Sequence, residues 1–160
     1  MREFTVIIDY ANYYSDYKEL ITYIKSLNGV RDVNITEDTI ITVNVKYEEK
    51  LINDKIIFLE LEAFLNLQKY PVLYGFDRHS KEKLVYKKQK ANICCEFCFG
   101  NIIYTLFEKN GVEKVESDYY DICYNKGKTD DEYTINIYYD PKIINEKEYQ
   151  ELIKEIECYF

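Results

Sequence analysis

Apolar positions along this chain follow two alternating rhythms, and together they predict its elements. "FTVIID", residues 4–9, reads as a strand. Tyr17, Leu20, Ile21, Ile24 and Leu27 then recur at helical spacing, with Ser15 placed to cap the helix and Gly29 to stop it. A hairpin follows with arms near 31–36 and 39–47. Asn53 can cap a second helix running to about Gln68, and "YPVLYGF", 70–76, supplies a fourth strand. The predicted order is β-α-β-β-α-β. Further on, Phe99, Ile102, Ile103, Leu106 and Phe107 form another apolar helix face. Tyr149, Leu152, Ile153 and Ile156 form a last one, with Asn145 and Glu148 spaced as a capping box. These stripes are core, because helices of this length need a buried face to stay folded.

The second half repeats the first. "NGVRDV" at 28–33 returns as "NGVEKV" at 110–115, an offset of 82, and "VNVKYEEKLIN" at 43–53 returns as "INIYYDPKIIN" at 135–145, an offset of 92. The ten extra residues fall in "YDICYNKGKTDDE", 120–132, whose Asn, Lys, Gly and Asp content reads as a long hairpin loop. The doubled pattern predicts an α+β chain of two tandem ferredoxin-like β-α-β-β-α-β sandwiches, over 1–78 and 83–160, joined by the polar "DRHSKEK" at 77–83. That joint is short enough for the two units to touch.

One strand is expected to be missing. From Asn53 to Phe76 the first repeat has 23 residues for a helix and a strand, whereas 15 separate Asn145 from Phe160, and the helix consumes them. Without a fourth strand, the first strand of the second repeat becomes an edge. It reads "LVYKKQK" where the first repeat has "FTVIID", and Lys87, Lys88 and Lys90 are charges that guard an exposed edge against unwanted pairing. The alternative is that the edge is used, by the first repeat or by a second copy of the chain.

All five cysteines lie in the second repeat, three of them within "ANICCEFCFGN", 91–101. Their odd number, and an N-terminal apolar run too short for a signal sequence, argue against a disulfide framework and for metal or redox chemistry in the cytoplasm. The net charge of −8 disfavours nucleic acid and anionic membrane surfaces as partners and suits cations and basic protein surfaces. No run is long enough to span a membrane. No phosphate loop, cofactor-binding motif or catalytic constellation appears, so no enzymatic activity is expected. His79, the single histidine, lies in the joint, at the sheet end predicted to be opposite the cysteines.

Residues 90–158 resemble the heavy-metal-associated domain family, the soft-metal modules of copper chaperones, mercury-binding proteins and metal-transporting ATPase tails. The resemblance rests on the Cys-x-x-Cys "CEFC" of Cys95 and Cys98 before a helix, on Gly111-Val112 after that helix, and on "YDP" at 139–141. Ile93 stands where the family usually has Met, the Glu96-Phe97 pair is bulkier than usual, and Cys94 is additional. The first repeat has Tyr13 and Asp16 at the two cysteine positions and is not expected to bind soft metal.

Two thiolates at a strand-to-helix turn can aim at one ion, and thiolates select Cu(I) first and Zn(II) next, or Cd(II) and Hg(II), over harder cations. Chain direction brings Cys123, in the hairpin loop, and Cys158, at the last helix end, to the same end of the sheet. Cys95, Cys98, Cys94, Cys123 and Cys158 are therefore the candidate ligands. Two thiolates suit linear Cu(I), and three or four suit Zn(II) or a cluster. The expected function is metal trafficking, buffering or sensing, with a metal-transporting ATPase or another protein of basic surface as partner. Two alternatives stand beside it: a thiol–disulfide redox protein using Cys95 and Cys98, and a metal-free interaction module whose cysteines are small hydrophobes, with Cys123 a solvated loop residue and Cys158 a helix-end residue.

Overall fold

A computed structural model describes residues 1–9, 17–37, 40–65, 73–92, 96–122 and 132–157. The elements follow in the order β1 (Arg2–Asp9), α1 (Tyr17–Ser26), β2 (Val30–Glu37), β3 (Ile40–Tyr47), α2 (Asp54–Leu65), β4 (Leu73–Asp77), β5 (Val85–Ala91), α3 (Glu96–Glu108), β6 (Val112–Ser117), β7 (Tyr133–Tyr139) and α4 (Glu146–Glu157). The first repeat is a complete β-α-β-β-α-β unit with strand order β2-β3-β1-β4, the ferredoxin-like arrangement. The second has the order β6-β7-β5 and, among the described residues, no fourth strand. Ser15, the end of α2 at 66–68, the start of the "YPVLYGF" strand and the middle of the hairpin loop lie outside the described residues. At the near end of that loop, residues 119–122 form a helical turn and Tyr119 is buried.

Alternation decides which strand faces go inward. In β3, Ile41, Val43, Val45 and Tyr47 are buried. In β7 the buried residues are Tyr133, Ile135, Ile137 and Tyr139. The helical stripes predicted from the sequence supply the opposing surface. Phe99, Ile102, Ile103, Leu106 and Phe107 of α3 and Tyr149, Leu152, Ile153 and Ile156 of α4 are all buried, as are Leu20 and Ile24 of α1.

The duplication extends to individual backbone bonds. Gly29 and Gly111 both have positive φ, 101° and 94°, which side-chain-bearing residues rarely adopt. The Gly29 carbonyl accepts from the Glu48 amide and the Gly111 carbonyl from the Asp140 amide, each at 2.8 Å. A Cβ on either glycine would come within 2.8 Å of the equivalent neighbour, Leu51 or Ile143. Both hairpins slip register at matched positions, between Val30 and Asp32 and between Val112 and Lys114. Asn53 caps α2 by accepting from the Ile56 amide at 2.9 Å. Asn145 and Glu148 form the full capping box, at 2.9 and 2.8 Å.

The two repeats share one sheet, an outcome the repeat pattern did not foretell. β4 pairs with β1 on one side and with β6 on the other, giving a seven-stranded antiparallel sheet in the order β2-β3-β1-β4-β6-β7-β5. The seam consists of two residue pairs, Phe76↔Val115 and Asp77↔Lys114. On the helical side, Phe58 of α2 packs against Phe107 of α3 at 4.9 Å between ring centroids, so the core also crosses the seam.

Arg78 pins the junction. It pairs with Asp54 at the start of α2 and donates to the carbonyls of Val112 and, at 2.8 Å, Phe107. Its guanidinium also lies 4.6 Å from the Phe107 ring centroid. The first repeat thus joins the second through β6, and β5 is left as the sheet edge. Two of its lysines are engaged with neighbouring carboxylates, Lys87 with Glu146 at 3.1 Å and Lys90 with Glu132 at 2.8 Å.

Candidate metal centre

The Cys-x-x-Cys motif straddles the start of a helix. β5 ends at Ala91 and α3 begins at Glu96, so Cys98 sits in the first helical turn. The first-turn amides and the helix dipole concentrate positive potential there and favour a thiolate over a thiol. Cys98 is half-buried and packs against the core. Its neighbours divide sharply: Phe97 is 57% exposed, whereas Phe99 is buried and stacks on Tyr119, with ring centroids 4.3 Å apart.

Of the five candidate ligands, Cys98 alone falls among the described residues. Cys94, Cys95, Cys123 and Cys158 lie outside them, as do Tyr13 and Asp16 at the corresponding positions of the first repeat. The elements flanking those positions do converge. Ala91, the last residue of β5, is in register with Tyr133, the first of β7. α4 advances alongside β5, since Lys87 meets Glu146 and, further up, the Gln89 side-chain amide donates to the Tyr149 hydroxyl at 2.9 Å. The C-terminal end of α4 therefore points toward the Ala91 end of the sheet. Among the described residues, no three His, Cys, Asp or Glu side chains gather as ligands.

An aromatic cluster beneath the motif helix was not read as such from the sequence. Tyr74 of β4 donates its hydroxyl to Glu96, the residue following Cys95, and its ring packs on Phe99, Tyr119 and Tyr120. Tyr119 also packs on Tyr133 at 4.6 Å. The tyrosines Tyr119 and Tyr120 stand side by side in "SDYYD", 117–121, a stretch with no periodic pattern of its own. They fix the start of α3 against both repeats.

His79 lies at the other end of the sheet, just past β4, as expected. Its φ of 47° is unusual for a residue with a side chain, and it is held by its own amide donating to Asp77 at 2.7 Å and by Thr5 Oγ1, 2.7 Å from Nε2. Burial pushes the Tyr149 hydroxyl up to about 12, so it remains protonated through the physiological range.

No family model matches this sequence, and no curated protein matches it. Among solved structures, the chain is similar to the N-terminal soluble domains of Bacillus subtilis CopA, known from a solution structure. The two share 15% identity over 96% of this chain and 89% of that one, with a TM-score of 0.36. A likeness of that extent carries no argument about chemistry.

Among the described residues, no helix is long and apolar enough to cross a membrane. What the arrangement offers chemically is local: a partly exposed thiol in the first turn of a helix, with a second cysteine three residues earlier in the chain. Such a pair can hold a soft cation or cycle through a disulfide.

Proposed function

We propose that the chain binds a soft transition-metal ion, Cu(I) foremost and Zn(II) next, through the thiolates of Cys95 and Cys98. The observation that carries this reading is the start of α3 at Glu96, between the two cysteines of the motif, in a unit with the ferredoxin-like order. Helix-start potential lowers the cost of the thiolate, and two thiolates on one turn can share an ion without chain rearrangement. Cys94, Cys123 and Cys158 are the additional ligands if the ion needs three or four sulfurs, because their segments leave elements that end together.

In this reading the region 83–160 carries the ion, and the region 1–78 is a scaffold or docking surface without soft-metal chemistry. The protein works in the cytoplasm in metal trafficking, buffering or sensing and needs no catalytic step. Its net charge of −8 steers it toward a partner of basic surface, such as a metal-transporting ATPase.

The test is titration of the reduced chain with Cu(I) and with Zn(II). The expected result is stoichiometric uptake that Cys95→Ser with Cys98→Ser abolishes and that Tyr13→Phe with Asp16→Asn leaves intact. Undiminished binding in the double cysteine variant would refute the assignment, and a reversible disulfide without metal uptake would replace it with redox chemistry.

A further inference from the structure

The outer face of α2 differs in kind from that of its counterpart, α4. Counted from the caps Asn53 and Asn145, the two helices hold the same place in the two repeats, 92 positions apart. At three matched positions α4 carries Glu148, Glu151 and Glu155, whereas α2 carries Ile56, Leu59 and Ala63. Ile56 is 44% exposed and Leu59 55%, and Ala63 is exposed with them. Their spacing puts all three on one face, over about 10 Å of helix. Glutamates at the same places in α4 show that this fold does not need apolar side chains there. Single exposed apolar residues are ordinary: Leu51 is exposed too, but so is its match Ile143, so it does not set α2 apart. A stripe of three on one helix face is instead the pattern by which helices meet.

Charge decides what can meet it. On the α1 side of the stripe stands Glu60, which accepts from the Tyr23 hydroxyl. On the α3 side stand Glu62 and Glu108, whose charges oppose each other across the seam. Lys55 is the one cation of α2, and its amine donates to the Glu108 carbonyl at 3.2 Å. A second copy of the chain would set this acidic rim against itself, with −8 on each molecule. A stripe of two helical turns also offers far less than the roughly 800 Å² per partner that a stable dimer buries. A helix with cations beside an apolar stripe answers both features, because its apolar side chains cover Ile56, Leu59 and Ala63 and its cations relieve the opposition of Glu62 and Glu108.

We infer that the outer face of α2 docks an amphipathic helix of a partner protein, one whose apolar stripe is flanked by lysines or arginines. The net charge of −8 gives the long-range attraction, and the stripe gives the point of attachment. The contact is short, so docking is reversible. This inference deepens the reading of region 1–78 as a docking surface and does not depend on a bound ion.

The experiment titrates the full, reduced, metal-free chain with a synthetic peptide of about 15 leucines and lysines, long enough for a helix to form, with the leucines on one helical face. A second peptide of the same composition scatters the leucines around the helix. Backbone amide NMR reads the contact. The first peptide is expected to shift the signals of Ile56, Leu59 and Ala63 saturably while those of Glu151 and Glu155 stay in place, and the scattered peptide is expected to give no localised shift. Leu59→Glu writes the α4 residue into an exposed position of α2 and should weaken the response about tenfold, the scale of one leucine lost from a contact. Because it adds a carboxylate, an association driven by charge alone would strengthen instead. Equal responses to the two peptides, shifts that follow α4 as closely as α2, or undiminished binding in Leu59→Glu would overturn the inference. So would a dimer of the chain alone, seen by sedimentation and abolished by Leu59→Glu, which would give the face to a second copy. Because no metal is present, each of those results leaves the thiolate reading untouched, and loss of metal uptake in the cysteine variants leaves the docking face untouched.

Discussion

Set side by side, the two repeats agree at one end of the sheet and differ at the other. At the end that holds the Gly29 and Gly111 turns, the carbonyl of each glycine accepts from the residue after β3 or β7, and an asparagine caps the helix that follows. At the opposite end, two residues separate β2 from β3 in the first repeat, whereas 15 separate β6 from β7 in the second. The sequences of the repeats also diverge at the motif positions, Tyr13 and Asp16 against Cys95 and Cys98. Identity has been kept where the backbone needs a particular residue type, a positive-φ glycine or a capping amide. Chemistry has been free to change where it does not. One end specifies the fold, and the other is where the two repeats are free to differ.

The largest expected effect comes from the residue that makes the two halves one body. Arg78→Ala removes the partner of Asp54 and the donors to two carbonyls of the second repeat, in a site where the arginine side chain is only 13% exposed. A loss of about 3 kcal/mol is expected, with urea unfolding of the two halves separating into two transitions. Arg78→Lys should recover little, since an ammonium cannot reproduce the fork. A single transition with an unchanged midpoint would mean that the halves are joined by something else.

Next come the glycines, as a direct test of equivalence. Gly29→Ala and Gly111→Ala should each cost about 2 kcal/mol, from left-handed strain and from crowding against Leu51 or Ile143. The two losses should match closely in thermal denaturation, and a difference of severalfold would break the parallel. The caps should then separate the repeats. Asn145→Ala breaks a reciprocal box and should cost about 1–2 kcal/mol. Asn53→Ala removes one bond, because Ile56 stands where the reciprocal glutamate would be, and should cost about 1 kcal/mol or less.

The smallest effect lies across the helical side of the seam. Burial first, and the charge of Glu108 second, raise the pKa of Glu62 above the ordinary carboxylate value. The folded state therefore holds that proton more tightly than the unfolded chain, and stability falls as pH rises from the ordinary glutamate pKa through the raised one. Glu62→Gln should flatten that decline and stabilise the protein at neutral pH by less than about 1 kcal/mol. Identical pH profiles for the variant and the parent would remove Glu62 from the account.

The sequence disclosed the repeated elements because each leaves a periodic or conformational mark: the apolar faces of α3 and α4, the turns at Gly29 and Gly111, the capping pair Asn145 and Glu148. Among the described residues the second repeat also has three strands, as expected. The β4–β6 seam left no such mark. Strand pairing across repeats is made by backbone groups that every residue carries, and Arg78 looked like one more charge in a polar joint. The candidate site was legible as a motif, Cys95-x-x-Cys98 ahead of a helix, because that spacing has a chemical meaning. The tyrosine cluster that braces it was not, because Tyr74, Tyr119 and Tyr120 come together only through the sheet.

The seam can also be described as a polymerisation step. β4 acts as a donor strand, and the outer edge of β6 acts as its acceptor. The same outer edge exists in the first repeat as β2, which ends the sheet on that side without a neighbour among the described strands. The fold therefore has a growing end, able in principle to take the donor strand of another unit by the rule already used once. The two outer edges thus differ in kind: β2 repeats the edge that serves as acceptor at the seam, whereas β5, the outermost strand on the other side among the described residues, repeats the edge of β1 that β4 fills within the first repeat.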